Sequence, residues 1–328
     1  MARNHPGLVA LLLLAATGTA AAGLRGDGIQ QRHEQLQQLD DALHATMMSE
    51  EARGQALAAR FRELYPDAGD PGALHASDEA SLHLRFDDAM LANFYRTEPY
   101  ALDAMQASLA ELEHRGAAKR EELARMRNAL LSARRFDDAA KFGASRPKAG
   151  LAALPKFVDA GNVAAGQPSA WREAVDGRFE RIALDLGPPQ VLVMAGCHFS
   201  DDAAREISAD PVLGPAFRAH ATWLGLPPGP EDPADVAEWN RAHPQAPMLT
   251  LYDRAEWPMF PQWRMPSFYV VRDGRIMGTV IGWKPADARD ALVALLRKNG
   301  LLSSGQAVAP GAPGNAAGNA SEEAATGR

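Results

Sequence analysis

The segment that most restricts the fold is an apolar run, Val191-Leu192-Val193-Met194, which continues through Ala195 and Gly196 into Cys197. Nothing polar alternates within it, so it suits a strand covered on both faces at the centre of a sheet. Gly187-Pro188-Pro189 turns the chain before the run. Ser200, followed by Asp201 and Asp202, reads as the N-cap of a helix after it. The strand therefore delivers a thiol to a helix start, and that thiol belongs to the only cysteine among 328 residues.

The surrounding sequence supplies the rest of an α/β domain. Residues 181–186 alternate polar and apolar as a half-buried strand does. Helical patterns follow up to Ile207 and over 212–220, separated by Asp210-Pro211, and a short strand is expected at 221–224. A Pro-rich insertion at 227–233, a helix at 234–242 and a strand at 248–252 come next. Residues 268–271 and 276–281 flank Arg272-Asp273-Gly274-Arg275, an Asp-Gly hairpin signal. A last helix from Pro285 carries Leu292, Leu295 and Leu296 to Gly300. This order predicts a mixed central sheet flanked by helices on both faces.

The first half is all helix. Leu36, Leu39, Leu43 and Met47 fall at helical spacing, and Ser49 ahead of Glu50 and Glu51 starts a second helix that Pro66 and Gly69 end. Ser77 opens a third with Leu82, Phe86, Met90 and Phe94, Pro99 a fourth, a fifth begins near 117, and a short one covers 136–142. Helix pairs with short turns predict an antiparallel helical array. Residues 129–147, with Leu130-Leu131, Ala133-Arg134-Arg135-Phe136-Asp137-Asp138-Ala139 and a closing Pro147, resemble part of a tetratricopeptide repeat, and Phe86-Asp87-Asp88-Ala89 is similar. The resemblance implies a docking module for a protein partner, and an ordinary helical bundle is the alternative. His33, His44, His75, His83 and His114 are too scattered to propose a metal site.

Both ends lie outside these patterns. Arg3, the apolar stretch 8–16 and Ala20-Ala21-Ala22 are ordered as in a cleaved secretory signal over 1–22, which places the mature chain in a periplasm or outside the cell. The apolar stretch is too short to span a bilayer, so no membrane span is expected after cleavage. Residues 301–328, rich in Ala, Gly, Pro and Ser, read as a disordered tail. A net charge of −7 without a basic stripe argues against nucleic acid as partner. A single cysteine excludes an internal disulfide. The organisation is thus a helical domain over 29–146, a linker over 147–167 rich in Ala, Gly and Pro, and an α/β domain over 168–300.

The α/β domain resembles the thioredoxin-like superfamily, nearest its exported branch that includes the TlpA-like thiol-disulfide proteins. The residues that carry the resemblance are the strand into Cys197-His198-Phe199-Ser200, Met265-Pro266 before the strand at 268–271, the Asp-Gly hairpin and the terminal helix. It implies a catalytic Cys197, a cis-proline at Pro266 packed beside it, no cofactor, and a protein thiol or disulfide, or a small thiol, as partner. Where the family has a second cysteine this chain has Ser200, so no resolving thiol exists within the motif. What remains is one-thiol exchange, or a redox-silent site in a domain kept as a partner-binding adaptor. Protonated His198 and the helix dipole favour a thiolate, whereas Asp201 and Asp202 oppose it. Ser200 is positioned to bond the sulfur or to cap the helix. Trp257, Phe260, Trp263 and Met265 either line an apolar groove for an extended peptide or close one end of the sheet. A metal site built on adjacent Cys197 and His198 has no further ligand cluster to complete it.

Overall fold

A computed structural model describes residues 27–46, 48–229, 232–260 and 263–303. The expected signal at 1–22, Met47 and the chain beyond 303 lie outside the described residues. The chain divides into two compact units, one up to Met126 and the other from Arg127. Among the described residues no helix is long and apolar enough to cross a membrane.

The first unit holds α1 (Asp27–His44), α2 (Glu50–Leu64), α3 (Pro71–Ala76), α4 (Glu79–Phe94), α5 (Pro99–His114) and the start of α6 (Arg120–Ser132). Local capping sets these starts. Ser49 Oγ accepts the N–H of Ala52 at 3.2 Å, and Asp78 Oδ1 accepts that of Ser81 at 2.7 Å. α3 is an addition to the expected helices. Asp70 accepts the Ala73 N–H at 2.8 Å and Pro71 occupies the first turn, so the stretch after Gly69 nucleates a turn of helix of its own. α6 starts at Arg120, later than the expected 117, because Gly116 leaves α5 with φ 71° and the Lys119 N–H is held by Glu122 Oε2 at 2.8 Å. Leu57, Phe61, Leu82, Phe86, Met105 and Leu109 are buried where the apolar stripes place them.

One ionisable cluster sits inside this apolar packing. Asp88 is fully buried, with the Tyr65 hydroxyl donating to it at 2.5 Å and His33 Nδ1 at 2.8 Å. Burial, then the adjacent Asp88 charge and hydrogen bond, push the Tyr65 phenol well above its usual range, against the pull of Arg32 and Arg85. Because the folded value is raised, this contribution to stability is complete below the ordinary tyrosine pKa of about 10 and is lost as pH rises through the folded value. Denaturant midpoints followed by helical circular dichroism at pH 9 and 11 are therefore expected to fall, and to fall less in Tyr65→Phe. Equal losses in both proteins would exclude Tyr65 as the source.

The second unit opens with the last turns of α6 and α7 (Phe136–Ala144). It continues with β1 (Phe157–Val158), β2 (Ser169–Glu173), β3 (Phe179–Ala183), β4 (Gln190–Met194), α8 (His198–Ala209), α9 (Leu213–His220) and β5 (Ala221–Gly225). Then come α10 (Pro233–Ala242), β6 (Met248–Leu251), β7 (Ser267–Arg272), β8 (Arg275–Ile281) and α11 (Pro285–Lys298). The eight strands form one mixed sheet in the order β1-β3-β2-β6-β5-β4-β7-β8. β4 lies inside it, parallel to β5 and antiparallel to β7.

Both faces of β4 are covered, which is why its sequence lacks polar alternation. Val191 and Val193 pack with Ile207, Phe268, Val270, Leu292 and Leu296 on one side. Leu192 and Met194 pack with Tyr269, Val271, Trp257 and Phe260 on the other. Each such buried side chain contributes about 1.5–3 kcal/mol relative to exposure.

The structure amends three expected boundaries. The 147–167 linker contributes β1, whose Phe157 and Val158 pair in parallel with Phe179 and Glu180. Two residues carry no readable period, but the Phe157 ring stacks on Phe136 at 4.2 Å and meets Trp171 at 5.1 Å, and that burial holds the strand in place. β2 is likewise unannounced by periodicity. Ala170 and Trp171 are buried in succession, so β2, paired to β3 and β6, shows no polar alternation. The packed chain also runs past 300, since Leu301 and Leu302 are buried in the core beneath α11, so an expected tail from 301 begins too early.

Candidate functional site

Cys197 stands where β4 hands over to α8. Gly196 makes the turn with φ 145°, a region open to glycine at little cost, and Cys197 follows as the N-cap in extended conformation (φ −123°, ψ 166°). The helix thus begins at His198, not after Ser200. Ser200 is the third helical residue and fully buried, so the expected N-cap role passes to Cys197. The physical reason is a capping box: Ser200 Oγ accepts the Cys197 N–H at 3.5 Å while the Cys197 side chain faces the Ser200 N–H. Ser200 Oγ also accepts the Gly196 N–H at 3.3 Å.

Ser200 Oγ is also 3.3 Å from Cys197 Sγ. A hydroxyl has two lone pairs and one proton. With its lone pairs turned to backbone N–H groups, the Ser200 hydroxyl has its proton free for the sulfur of a thiolate, while between the hydroxyl and the thiol either atom can donate. The thiol itself is half-buried, and His198 and Phe199 beside it are exposed, their rings 3.8 Å apart.

The acidic residues of this first turn do not stand alone. Asp201 Oδ1 lies 2.6 Å from His243 Nε2, and Asp201 and Asp202 both pair with Arg205. α10 supplies the facing wall: Cys197, His198 and Asp201 line a pocket of about 160 Å³ together with Asp235, Trp239 and Met248. Burial, then repulsion from Asp232 and Glu238, raises the Asp235 carboxyl above its ordinary value. Asp235, Trp239 and His243 were absent from the expected site. Their one signal in the sequence is the four-residue spacing that puts them on one face of α10, and nothing local says which neighbour that face meets.

On the other side of β4, Met194 pairs with Ser267, which brings Pro266 to the strand end that carries Cys197. The Met265–Pro266 peptide is cis and Pro266 is buried. The aromatic loop before it is placed differently from a groove lining. Trp257 is fully buried and Phe260 is 6 % exposed, their rings stacked 5.7 Å apart in the core beneath Leu192, Met194 and Tyr269. Their large apolar area is better satisfied against the sheet than in water. Trp263 and Met265 are half-buried at the edge of the same cluster. Among the described residues no cluster of three His, Cys, Asp or Glu side chains is placed to hold a metal ion.

No protein-family model, curated protein or solved structure matches the chain.

Proposed function

We propose that the second unit is a thioredoxin-like domain of an exported protein and that Cys197 carries out one-thiol disulfide exchange. The observation that supports this reading best is the position of Sγ. It sits at the N-cap of α8, half open to solvent, with a serine hydroxyl 3.3 Å away and no other cysteine in the chain. The thiolate is the attacking form in such an exchange, and the Ser200 hydroxyl lies within reach to donate to it.

In the exchange, the Cys197 thiolate attacks one sulfur of a partner's disulfide. A Cys197–partner S–S bond forms, the partner's own S–S bond breaks, and the leaving sulfur takes up the proton that Cys197 lost. A second thiol, from the same partner or from a small-molecule thiol, then attacks the mixed disulfide and releases Cys197. When that thiol is the partner's own, no net electrons move and the partner's disulfides are reshuffled. When it is a small-molecule thiol, the partner keeps one free thiol and a mixed disulfide to the small molecule, and the small thiol is the reductant. Ser200 has no sulfur with which to resolve the intermediate. The helices, whose likeness to tetratricopeptide repeats lies at 86–89 of the first unit and at 129–147 at the start of the second, recruit the protein partner, and the exported location supplies disulfides to exchange.

Incubating the full chain with a disulfide-bonded peptide and separating the products without reductant tests this. The wild type is expected to form a covalent adduct that a small thiol dissolves, and Cys197→Ser to form none. A Cys197 that gives no adduct and is alkylated at neutral pH no faster than free cysteine would remove the exchange reading and leave the domain as a binding adaptor.

A further inference from the structure

Outside the cysteine site, the second unit contains a larger cavity of about 440 Å³. This is within the range of small-molecule pockets, roughly 300–1,000 Å³. Its floor is aromatic. Phe136, Phe157 and Tyr252 are half-buried with ring surface on the pocket, and Trp171 lies behind them, 1 % exposed, its indole N–H without an acceptor. A buried donor left unmatched in this way costs about 1–3 kcal/mol.

The rim is charged, and most of its charges are already spoken for. Arg135 binds Asp138 at 2.8 Å, Arg134 binds Asp253 at 3.1 Å, and Asp159 binds Arg181 at 2.7 Å. Arg134 is further fixed by a helix-ending turn with φ 58° and by its guanidinium over the Tyr252 ring at 5.7 Å. Two rim groups are left. Asp137 and Lys141 lie one turn apart on the exposed side of α7, and among the described residues neither has an ion-pair partner. The N-cap of α7, Arg135, makes no side-chain cap, and the first residues of the helix, Phe136 to Asp138, line the cavity.

One unpaired cation beside one unpaired anion, above an aromatic floor, matches a zwitterion with an apolar body. We propose that this cavity binds a free α-amino acid with an aromatic or large aliphatic side chain. Its carboxylate goes to Lys141 and the open start of α7, its ammonium to Asp137, and its side chain against Phe136, Phe157 and Tyr252. The site is separate from Cys197 and does not depend on thiol exchange.

Calorimetric titration of the full chain with phenylalanine, glycine, N-acetylphenylalanine and phenylalaninamide tests the assignment. Phenylalanine is expected to bind, and removing either charge or the side chain to weaken binding by about tenfold or more, the scale of one charge-assisted hydrogen bond. Lys141→Gln is expected to abolish the preference for the acid over the amide, and Asp137→Asn the preference for the free over the acetylated amine. Both positions are exposed, so the variants fold, which an unchanged thermal midpoint confirms. Failure of phenylalanine to bind the folded wild type, or binding that neither substitution alters, would overturn the proposal.

Discussion

Substituting cysteine for Ser200 is expected to turn the one-thiol site into a dithiol. The oxygen of Ser200 is already 3.3 Å from Cys197 Sγ, and both residues sit on the same first turn of α8. A disulfide needs the sulfurs about 2 Å apart, a gap that side-chain rotation closes without moving the backbone. Under oxidising conditions Ser200→Cys should therefore lose both free thiols, and mixed disulfides that persist in the wild type should resolve by internal attack. A thiol titration and a non-reducing gel read the two effects. The change is not free for the fold: Ser200 is fully buried and accepts two backbone N–H groups, so about 1 kcal/mol of stability goes with its hydroxyl. Two thiols that stay free under oxidant would mean that the turn holds the side chains apart.

Removing the Trp257 ring has the largest expected effect on stability. Trp257 is fully buried, stacked on Phe260, in the cluster that covers Leu192 and Met194 of the central strand. Truncation of a buried tryptophan costs about 3–5 kcal/mol, a large share of the stability of an ordinary domain. Trp257→Ala should thus lower the denaturant midpoint steeply, whereas Trp263→Ala, at a half-buried position, should lower it far less. Trp257→Phe, which keeps an aromatic partner for Phe260 and removes an indole N–H that has no acceptor, falls between them. A Trp257→Ala protein of unchanged stability that no longer captures its partner would instead return this ring to a groove.

Much of the fold is legible in the residues themselves. The apolar 191–194 run fits the centre of a sheet, the Asp-Gly dipeptide marks the hairpin, and a serine cap marks the helix start at Ser49. The helix expected from Ser77 is capped one residue later by Asp78, because Ser77 closes α3. These signals are local: the propensity or hydrogen bond that creates each element lies within a few residues of it. β1 and β2 escaped because two strands of two and five residues are held by partners elsewhere in the chain, Phe136 and Trp171 among them. The aromatic loop shows the same limit. Its composition fits a groove or a core equally, and burial against Leu192 and Tyr269 decides for the core.

The site divides along the same line. That one thiol stands at the start of a helix, with serine where a second thiol would be, follows from the sequence alone, because those residues are neighbours in the chain. That Cys197 itself is the cap, that Ser200 turns its oxygen to the sulfur and that Arg205 pairs with the first-turn aspartates are contacts within α8 that show once the helix start is placed. The His243 contact to Asp201, by contrast, comes from a distant part of the chain. So is the wall of Asp235 and Trp239 across the pocket. Covalent order sets which groups exist near Cys197; only the placement of α10, packed on β6, across the pocket from Cys197 sets which groups stand opposite the sulfur.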